Sequence, residues 1–125
     1  MLVVDDEDLV REVLAEGLEE RGYAALRAGG AGAALAMLDA GVGADVLLTD
    51  YAMPGTDGLT LIGEARRRRP GLPAVLLTGN ASGEVEARLA LDGTRGGPFS
   101  LLRKPVGADQ LAARIGSLLE RAERA

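Results

Sequence analysis

The sequence predicts an α/β fold built on a parallel sheet, and three observations support that class. Short apolar runs alternate with segments of helical periodicity along all 125 residues. One apolar run, residues 46–48, is continuous, which is typical of a strand covered on both faces. The length and the hydrophobic content of 47% suit one folded domain with one core, so we expect residues 1–125 to form a single domain.

Five elements are predicted in the first half of the chain. In order, they are a strand at 2–4, a helix that carries Val10, Val13, Leu14 and Leu18, a strand at 23–27, a helix at 31–40 and a strand at 45–49. The helices are indicated by apolar side chains that recur every three or four residues. Gly22 and Gly41 follow them, and glycine readily adopts the left-handed backbone that ends many helices.

Five more elements are predicted in the second half. They are a helix that carries Leu59, Leu61, Ile62 and Ala65 and finishes at 66–69, a strand at 74–78, a helix with Val85, Leu89 and Leu91, a short strand at 101–102, and a helix with Leu111, Ala112, Ile115, Leu118 and Leu119. Pro70 and Pro73 separate the third helix from the fourth strand. Glycines at 93, 96 and 97, with Pro98, predict a loose stretch between the fourth helix and the fifth strand.

The residue types limit the chemistry. The chain has no histidine and no cysteine, which excludes zinc fingers, disulfides, Ser-His-Asp triads and an internal phosphohistidine. A formal net charge of −5 and an aromatic content of 2% disfavour direct binding of nucleic acid. The apolar runs are too short for membrane insertion. We expect a soluble, cytoplasmic domain that works through carboxylate, hydroxyl and amine groups.

Polar side chains stand at the ends of four predicted strands. They are Asp5 and Asp6 after the first strand, Asp50 after the third, Thr78 at the end of the fourth and Lys104 after the fifth. Because the carboxyl ends of parallel strands share one edge of a sheet, we expect these groups to converge there. Crowded carboxylates without nitrogen or sulfur ligands favour Mg²⁺, whose natural co-ligand is a phosphate oxygen. Lys104 and Thr78 are suited to contact further phosphate oxygens.

The motifs around these residues resemble those of the receiver domain of two-component response regulators. They are Val3-Val4-Asp5-Asp6-Glu7, Asp50-Tyr51-Ala52-Met53-Pro54-Gly55-Thr56-Asp57-Gly58, Thr78-Gly79 and Lys104-Pro105. They occur in the family's order and at close to its spacing, across nearly the whole chain. The resemblance implies a flavodoxin-like fold, in which five parallel strands in the order 2-1-3-4-5 have five helices on both faces.

The resemblance also implies roles for individual residues. Asp50 would be the nucleophile that takes a phosphoryl group from the phosphohistidine of a partner, either a sensor histidine kinase or a histidine phosphotransfer domain. Asp5, Asp6 and Asp50 would hold Mg²⁺ together with the backbone carbonyl of Ala52. The isolated domain would catalyse only its own phosphorylation and dephosphorylation, and would otherwise not be an enzyme. It would signal by a change of conformation, and homodimer formation stays open.

Four further positions follow from the resemblance. Thr78 would move towards the acyl phosphate, Lys104 would offset charge on the phosphoryl oxygens, and the peptide bond before Pro105 would be cis. The family usually carries Tyr or Phe three residues before the lysine, where the ring turns inward as the threonine moves. Leu101 occupies that switch position here, and Phe99 lies on the same face only if the fifth strand extends that far.

The segment between Thr78 and Lys104 also departs from the family. Its 25 residues are a few more than receivers commonly have, and the extra length falls in the glycine-rich part. We therefore expect an atypical or mobile fourth helix.

Several residues keep a second interpretation. Asp5 is also a candidate N-cap of the first helix. The pair Asp57-Gly58 is more typical of a turn and a helix start than of catalysis. The basic run at 66–69 fits a solvated helix end better than a nucleic-acid patch. Tyr51 is expected to be a partly exposed packing residue.

Other functions stay open beside a response regulator. A receiver within a hybrid sensor histidine kinase would relay the phosphoryl group onward. A flavodoxin-like cofactor binder is disfavoured, since four acidic residues after the first strand would repel a flavin phosphate. A Mg²⁺-dependent phosphatase that works through Asp50 usually has a second acid two residues later, where this chain has Ala52. In the family, the positions of Ala52 and Asn80 also influence how fast the phosphoryl group is lost.

Overall fold

The computed structural model describes residues 1–79, 83–92 and 96–124, and in residues 90–92 and 124 the backbone alone. Within these ranges, five strands alternate with five helices. In chain order they are β1 (Leu2–Val4), α1 (Asp8–Glu19), β2 (Leu26–Ala28), α2 (Ala31–Asp39), β3 (Leu47–Asp50), α3 (Gly58–Arg68), β4 (Ala74–Thr78), α4 (Glu84–Asp92), β5 (Phe99–Arg103) and α5 (Ala108–Arg124). Asn80 and Gly93 lie outside the described residues, and the expectation of a mobile fourth helix stays a prediction.

The strands form one sheet in the order β2-β1-β3-β4-β5, and every neighbouring pair is parallel. This confirms the flavodoxin-like fold class. Because β1 lies between β2 and β3, the winding of the chain reverses at β1, and a crevice opens beyond the carboxyl ends of β1 and β3. Val4 pairs with Thr49, which places the next residues, Asp5 and Asp50, beside one another.

Helices cover both faces of the sheet, and each strand contributes to both layers because successive side chains point to opposite faces. In β4, Ala74 and Leu76 pack in the core with α2 and α3, whereas Val75 and Leu77 pack in the core with α1 and α5. Each fully buried Leu or Val contributes roughly 1.5–3 kcal/mol. Among the helices of the described ranges, none combines the length and the apolar character that a bilayer crossing needs.

Strand β2 begins later than the sequence predicts, at Leu26 and not at residue 23. The reason is the end of α1, where the Tyr23 amide donates to Leu18 O and the Gly22 amide donates to Glu19 O. Gly22 has φ +92°, in the left-handed region that this helix ending requires. The turn that closes α1 therefore reaches Tyr23, and the pairing of β2 with β1 starts only at Leu26.

Strands β3 and β5 also differ from their predicted bounds. β5 extends from Phe99 to Arg103, because it pairs with β4 along the full length of β4. Phe99 and the half-buried Leu101 therefore share one face and pack against the same core. β3 starts at Leu47 and includes Asp50, because its pairing with β4 covers that range.

The basic run at the end of α3 is not the fully solvated helix end that the sequence suggests. Arg66 is buried, and its Nε donates to Leu72 O at 2.9 Å while its Nη2 donates to Pro98 O at 2.7 Å. Arg69 is half-buried, and its Nη2 donates to two carbonyl oxygens at and beyond the end of α2. Arginine tolerates this burial because its planar group offers five N–H donors to backbone carbonyls. The other two arginines of the run are exposed.

Candidate functional site

Three carboxylates and an ammonium group meet at the carboxyl edge of the sheet. Nζ of Lys104 lies 2.9 Å from Oδ1 of Asp50 and 3.6 Å from Oδ2 of Asp5. One carboxylate oxygen from each of Asp5, Asp6 and Asp50 lies within 4.8 Å of the other two. Asp5 and Asp50 are buried, whereas Asp6 is exposed. The convergence expected from the ends of the strands is present for these four residues.

The two carboxylate oxygens of Asp5 differ in their contacts. Oδ1 accepts a hydrogen bond from the amide of Glu7 at 2.9 Å. Oδ2 is buried and has no hydrogen-bond partner in the part of the chain that the structure describes. The Lys104 ammonium, 3.6 Å away, offsets part of its charge but lies beyond hydrogen-bond distance. A buried carboxylate oxygen without a direct contact is costly, and a bound cation would supply that contact, so Asp5 fits a metal ligand. The alternative of Asp5 as the N-cap of α1 is wrong, because Glu7 occupies that position.

Burial and neighbouring charges act on the pKa values of the central pair. Burial raises the pKa of the Asp50 carboxyl, and the carboxylates of Asp5 and Asp6 raise it further, against the opposing effect of Lys104. Burial would lower the pKa of Lys104, but its hydrogen bond and charge interaction with Asp50, with help from Asp5, raise it overall. When ionised, three carboxylates against one ammonium leave an excess of negative charge. A divalent cation with oxygen ligands would balance it, and Mg²⁺ suits such a set.

Three further predicted features lie around the same edge of the sheet: Thr78, Ala52 and the Lys104–Pro105 peptide bond. Leu101 does not, because it pairs with Leu76 in the middle of β4, and its role as a switch stays a prediction. Thr78 is the last residue of β4 and is buried, and its carbonyl accepts the amide of Lys104 at 2.9 Å. The Lys104–Pro105 peptide bond is cis, as expected. Ala52 lies exposed on the loop that follows β3.

That loop brings α3 close to the strand that carries Asp50. The amide of Gly58 donates to Tyr51 O at 2.9 Å. A Cβ at Gly58 would come within 2.1 Å of Asp50 O, so the approach requires glycine. Asp57 is the N-cap of α3, and its Oδ1 accepts the amide of Thr60 at 2.8 Å. The interpretation of Asp57-Gly58 as a helix start is therefore confirmed.

Tyr51 and Arg88 form a contact that the sequence did not predict. Tyr51 is buried and not partly exposed. Its hydroxyl donates to Glu84 Oε1 at 3.3 Å and accepts from Arg88 Nη1 at 3.1 Å. Arg88 Nη1 also lies 2.6 Å from Asp57 Oδ2. Sequence reasoning missed Arg88 because its helical segment is weakly patterned and these partners lie 37 and 31 residues away along the chain.

Comparison with known proteins agrees with this geometry. A model of the response regulator receiver domain family matches residues 1–116. The chain belongs to this family. The receiver superposes on a solved response regulator receiver domain protein from Clostridium thermocellum with a TM-score of 0.85 and 30% identity, over 98% of this chain and 95% of that one. That residues 1–125 form a single domain stays a prediction.

Two curated relatives of the receiver differ in their overall type. Transcriptional regulatory protein TcrA of Mycobacterium tuberculosis is 36% identical over 97% of this chain. Sensor kinase CckA of Brucella abortus is 32% identical over 97% of this chain. The receiver spans 46% of TcrA and 12% of CckA, which is less than half of either protein. Its relatives therefore include both a transcriptional regulator and a sensor kinase.

Proposed function

We propose that this receiver takes a phosphoryl group onto Asp50 in a Mg²⁺-dependent reaction and signals through the resulting change of conformation. One observation carries the proposal. Nζ of Lys104 lies 2.9 Å from Oδ1 of Asp50, and one carboxylate oxygen from each of Asp5, Asp6 and Asp50 lies within 4.8 Å of the other two. This arrangement offers a nucleophile, a cation for phosphoryl oxygens and a carboxylate set suited to a divalent ion. Membership of the receiver family supports the same chemistry.

The transfer is a displacement at phosphorus. A carboxylate oxygen of Asp50 forms a new P–O bond while the P–N bond of the donor's phosphohistidine breaks, and the electron pair of that bond stays on the imidazole nitrogen. Lys104, kept protonated by the carboxylates around it, offsets negative charge on a phosphoryl oxygen. Thr78 donates a hydrogen bond to another phosphoryl oxygen once the group is bound.

Asp5, Asp6 and Asp50 would hold Mg²⁺ together with the backbone carbonyl of Ala52. When bound, the ion neutralises charge on the phosphoryl group during transfer. The buried Oδ2 of Asp5, which lacks a hydrogen-bond partner in the described part of the chain, supports this assignment. The exposure of Asp6 suits an ion that keeps several of its waters.

The phosphohistidine must come from another domain or another protein, because the chain contains no histidine. We assign this role to a sensor histidine kinase or a histidine phosphotransfer domain. The proposal includes a cytoplasmic location and no catalysis beyond the receiver's own phosphorylation and dephosphorylation. Homodimer formation is left to measurement, by comparing the mass in solution before and after phosphorylation.

Incubation with a small phosphodonor and Mg²⁺, followed by intact-mass measurement, tests the assignment of Asp50. The wild type should gain one phosphoryl group, and chelation of Mg²⁺ should prevent the gain. Asp50→Asn should gain none. Asp39→Asn, which changes an exposed aspartate at the end of α2, is the matched control and should behave as the wild type. The assignment is refuted if the wild type gains nothing or Asp50→Asn gains as much.

A second candidate is a receiver that relays the phosphoryl group onward within a hybrid kinase. The observation that favours it is the 32% identity to sensor kinase CckA over 97% of this chain. Incubating the phosphorylated receiver with histidine phosphotransfer domains from the same organism distinguishes the two candidates. A relay receiver should lose its phosphoryl group to one of them at a rate well above its spontaneous loss, whereas a receiver that drives an output should not.

A further inference from the structure

One arginine of α4 contacts both ends of the loop that joins β3 to α3, residues 51–57. Nη1 of Arg88 lies 2.6 Å from Asp57 Oδ2 and 3.1 Å from the Tyr51 hydroxyl. Its Nη2 donates to Thr60 Oγ1, in the first turn of α3, at 3.2 Å. The guanidinium carbon lies 5.7 Å from the centre of the Tyr51 ring, within the range of a cation–π contact. Arg88 therefore ties α4 to three side chains of the loop and the helix that follows it.

The loop so held is part of the proposed site. It begins directly after Asp50 and contains Ala52, whose carbonyl is the proposed fourth metal ligand. The ends of the loop meet, because the Gly58 amide donates to Tyr51 O at 2.9 Å. A shift of either end therefore moves the short stretch of backbone between them.

The contact is shielded enough from solvent to matter energetically. The side chains of Arg88 and Asp57 are only 30% and 31% exposed, and Tyr51 is buried. Charge pairs in such partly buried places are screened less than fully exposed pairs. The hydrogen bond to Tyr51 and the pairing with Asp57 raise the pKa of Arg88. Burial alone would raise the pKa of Asp57, but the Thr60 amide and Arg88 lower it overall, so both members of the pair are charged at neutral pH.

Arginine is the residue type that makes these contacts together. Its planar guanidinium presents several N–H donors in fixed directions and stacks on aromatic rings, whereas a lysine ammonium acts as a point charge. A second residue of α4 holds the same hydroxyl, because Glu84 Oε1 accepts from the Tyr51 hydroxyl at 3.3 Å. The position of α4 and the position of the loop are therefore joined through Tyr51 and Asp57.

The geometry points to Arg88 as a positioning residue for phosphoryl transfer at Asp50. Arg88 holds the 51–57 loop from α4 and so sets the position of the Ala52 carbonyl. This inference rests on the proposed phosphorylation of Asp50. Because coupling between two sites is reciprocal, a change that the phosphoryl group causes in the loop should also shift the position of α4 through Arg88.

The test measures two quantities in the same set of variants. One is the rate of phosphorylation by a small acyl phosphate as a function of Mg²⁺ concentration, followed by intact mass. The other is amide hydrogen exchange of residues 51–57 without donor or metal. The variants are Arg88→Gln, Arg88→Lys and Tyr51→Phe, which keeps the ring and removes only the hydroxyl. The matched control is Arg103→Gln, which breaks another ion pair of α4, between Arg103 Nη2 and Glu86 Oε1 at 2.6 Å.

We expect Arg88→Gln to raise the Mg²⁺ concentration at half-maximal rate about 3- to 30-fold and to speed exchange in 51–57. Tyr51→Phe should shift both in the same direction by less. Arg88→Lys should recover part of the loss, because its ammonium still pairs with Asp57. Arg103→Gln should keep the wild-type Mg²⁺ dependence.

Two results would overturn the positioning role. The first is a wild-type Mg²⁺ dependence in both Arg88→Gln and Tyr51→Phe, whatever their exchange rates, since a merely structural contact would give that. The second is an equal shift in Arg103→Gln, which would mean that any loosening of α4 has the same effect. Failure of the proposed function itself is distinct, because the wild type would then gain no phosphoryl group and both proposals would fall together.

Discussion

The ammonium group of Lys104 lies 2.9 Å from Oδ1 of Asp50, and Lys104 is the only lysine in the chain. It is therefore the one side chain of this type that can offset charge on a phosphoryl group at Asp50. The contact depends on the parallel arrangement of β3 and β5, whose carboxyl ends share one edge of the sheet.

We expect Lys104→Met to slow phosphorylation of Asp50 by about 100-fold or more, as the loss of one positioned donor does at other charge-stabilising sites. Removing the ammonium also leaves the effect of burial on Asp50 unopposed, so the pKa of its carboxyl should rise further. The initial rate with a small phosphodonor measures the effect. Arg103→Gln removes the adjacent, largely exposed charge and should react at the wild-type rate. A wild-type rate in Lys104→Met would contradict the role of Lys104.

Gly58→Ala should destabilise the fold, because the new Cβ would lie 2.1 Å from Asp50 O and 2.8 Å from Leu76 Cδ1. Relieving such an overlap typically costs about 1–3 kcal/mol of stability. We expect a cost at the upper end of this range, because a backbone oxygen moves less readily than the end of a flexible side chain. The matched control is Gly63→Ala in the same helix, where a Cβ meets nothing within 4 Å. That control should gain about 0.5–1 kcal/mol from the higher helix propensity of alanine. Urea unfolding measures both, and equal midpoints for the two variants would show that the glycine is not required.

Arg66→Ala should cost roughly 1–3 kcal/mol for each carbonyl that loses its donor, because Leu72 O and Pro98 O both accept from this buried side chain. The neighbouring Arg67 is 78% exposed, so Arg67→Ala should stay within about 0.5 kcal/mol of the wild type. Urea unfolding gives the free energy of unfolding of both variants, and Arg66→Ala should lose much more of it than Arg67→Ala. A similar small loss in both variants would mean that the burial of Arg66 contributes nothing.

The stabilisation provided by Asp57 should decrease as the pH falls. The amide of Thr60 and the charge of Arg88 lower the pKa of Asp57 in the folded state below its ordinary value of 3.8, in spite of burial. Stability from this lowered pKa is present above 3.8 and is lost as the pH falls through the folded value. Asp57→Asn keeps an N-cap and removes the charge. The wild type should therefore exceed the variant in unfolding free energy most clearly near pH 6. This difference should shrink below pH 3.8, the ordinary pKa of the carboxyl. A difference that grows on acidification would give the opposite sign and refute the assignment.

Ala52→Asn should speed loss of the phosphoryl group several-fold, because Ala52 is exposed beside the site and offers no side chain that could orient an attacking water. The decay of the phosphorylated mass after removal of the donor measures this rate. Ala33→Asn, on α2, introduces the same side chain at an exposed position and serves as the control. An unchanged decay rate in Ala52→Asn would show that the side chain at this position does not control the loss of the phosphoryl group.

The central part of the site follows from the sequence because its geometry depends on rules that act locally. Residues that directly follow buried parallel strands come to one edge, and this alone predicts that Asp5, Asp50 and Lys104 meet. The N-cap role of Asp57 is also local, because a capping side chain needs only the amides of its own first turn. The strand order was implied by family resemblance and not by the residue pattern.

The contacts that the sequence did not predict join segments far apart in the chain. The burial of Arg66 requires Pro98, just before β5, to lie against the end of α3, and the contacts of Arg88 require α4 to lie beside the loop after Asp50. The bounds of β5 likewise depend on its partner β4. The sequence by itself determined the alternation of strands and helices and the residues at the strand ends, because periodicity and chain direction are local properties. Only the tertiary structure decided which charged side chains are buried and what they bind, because those choices depend on which elements pack together.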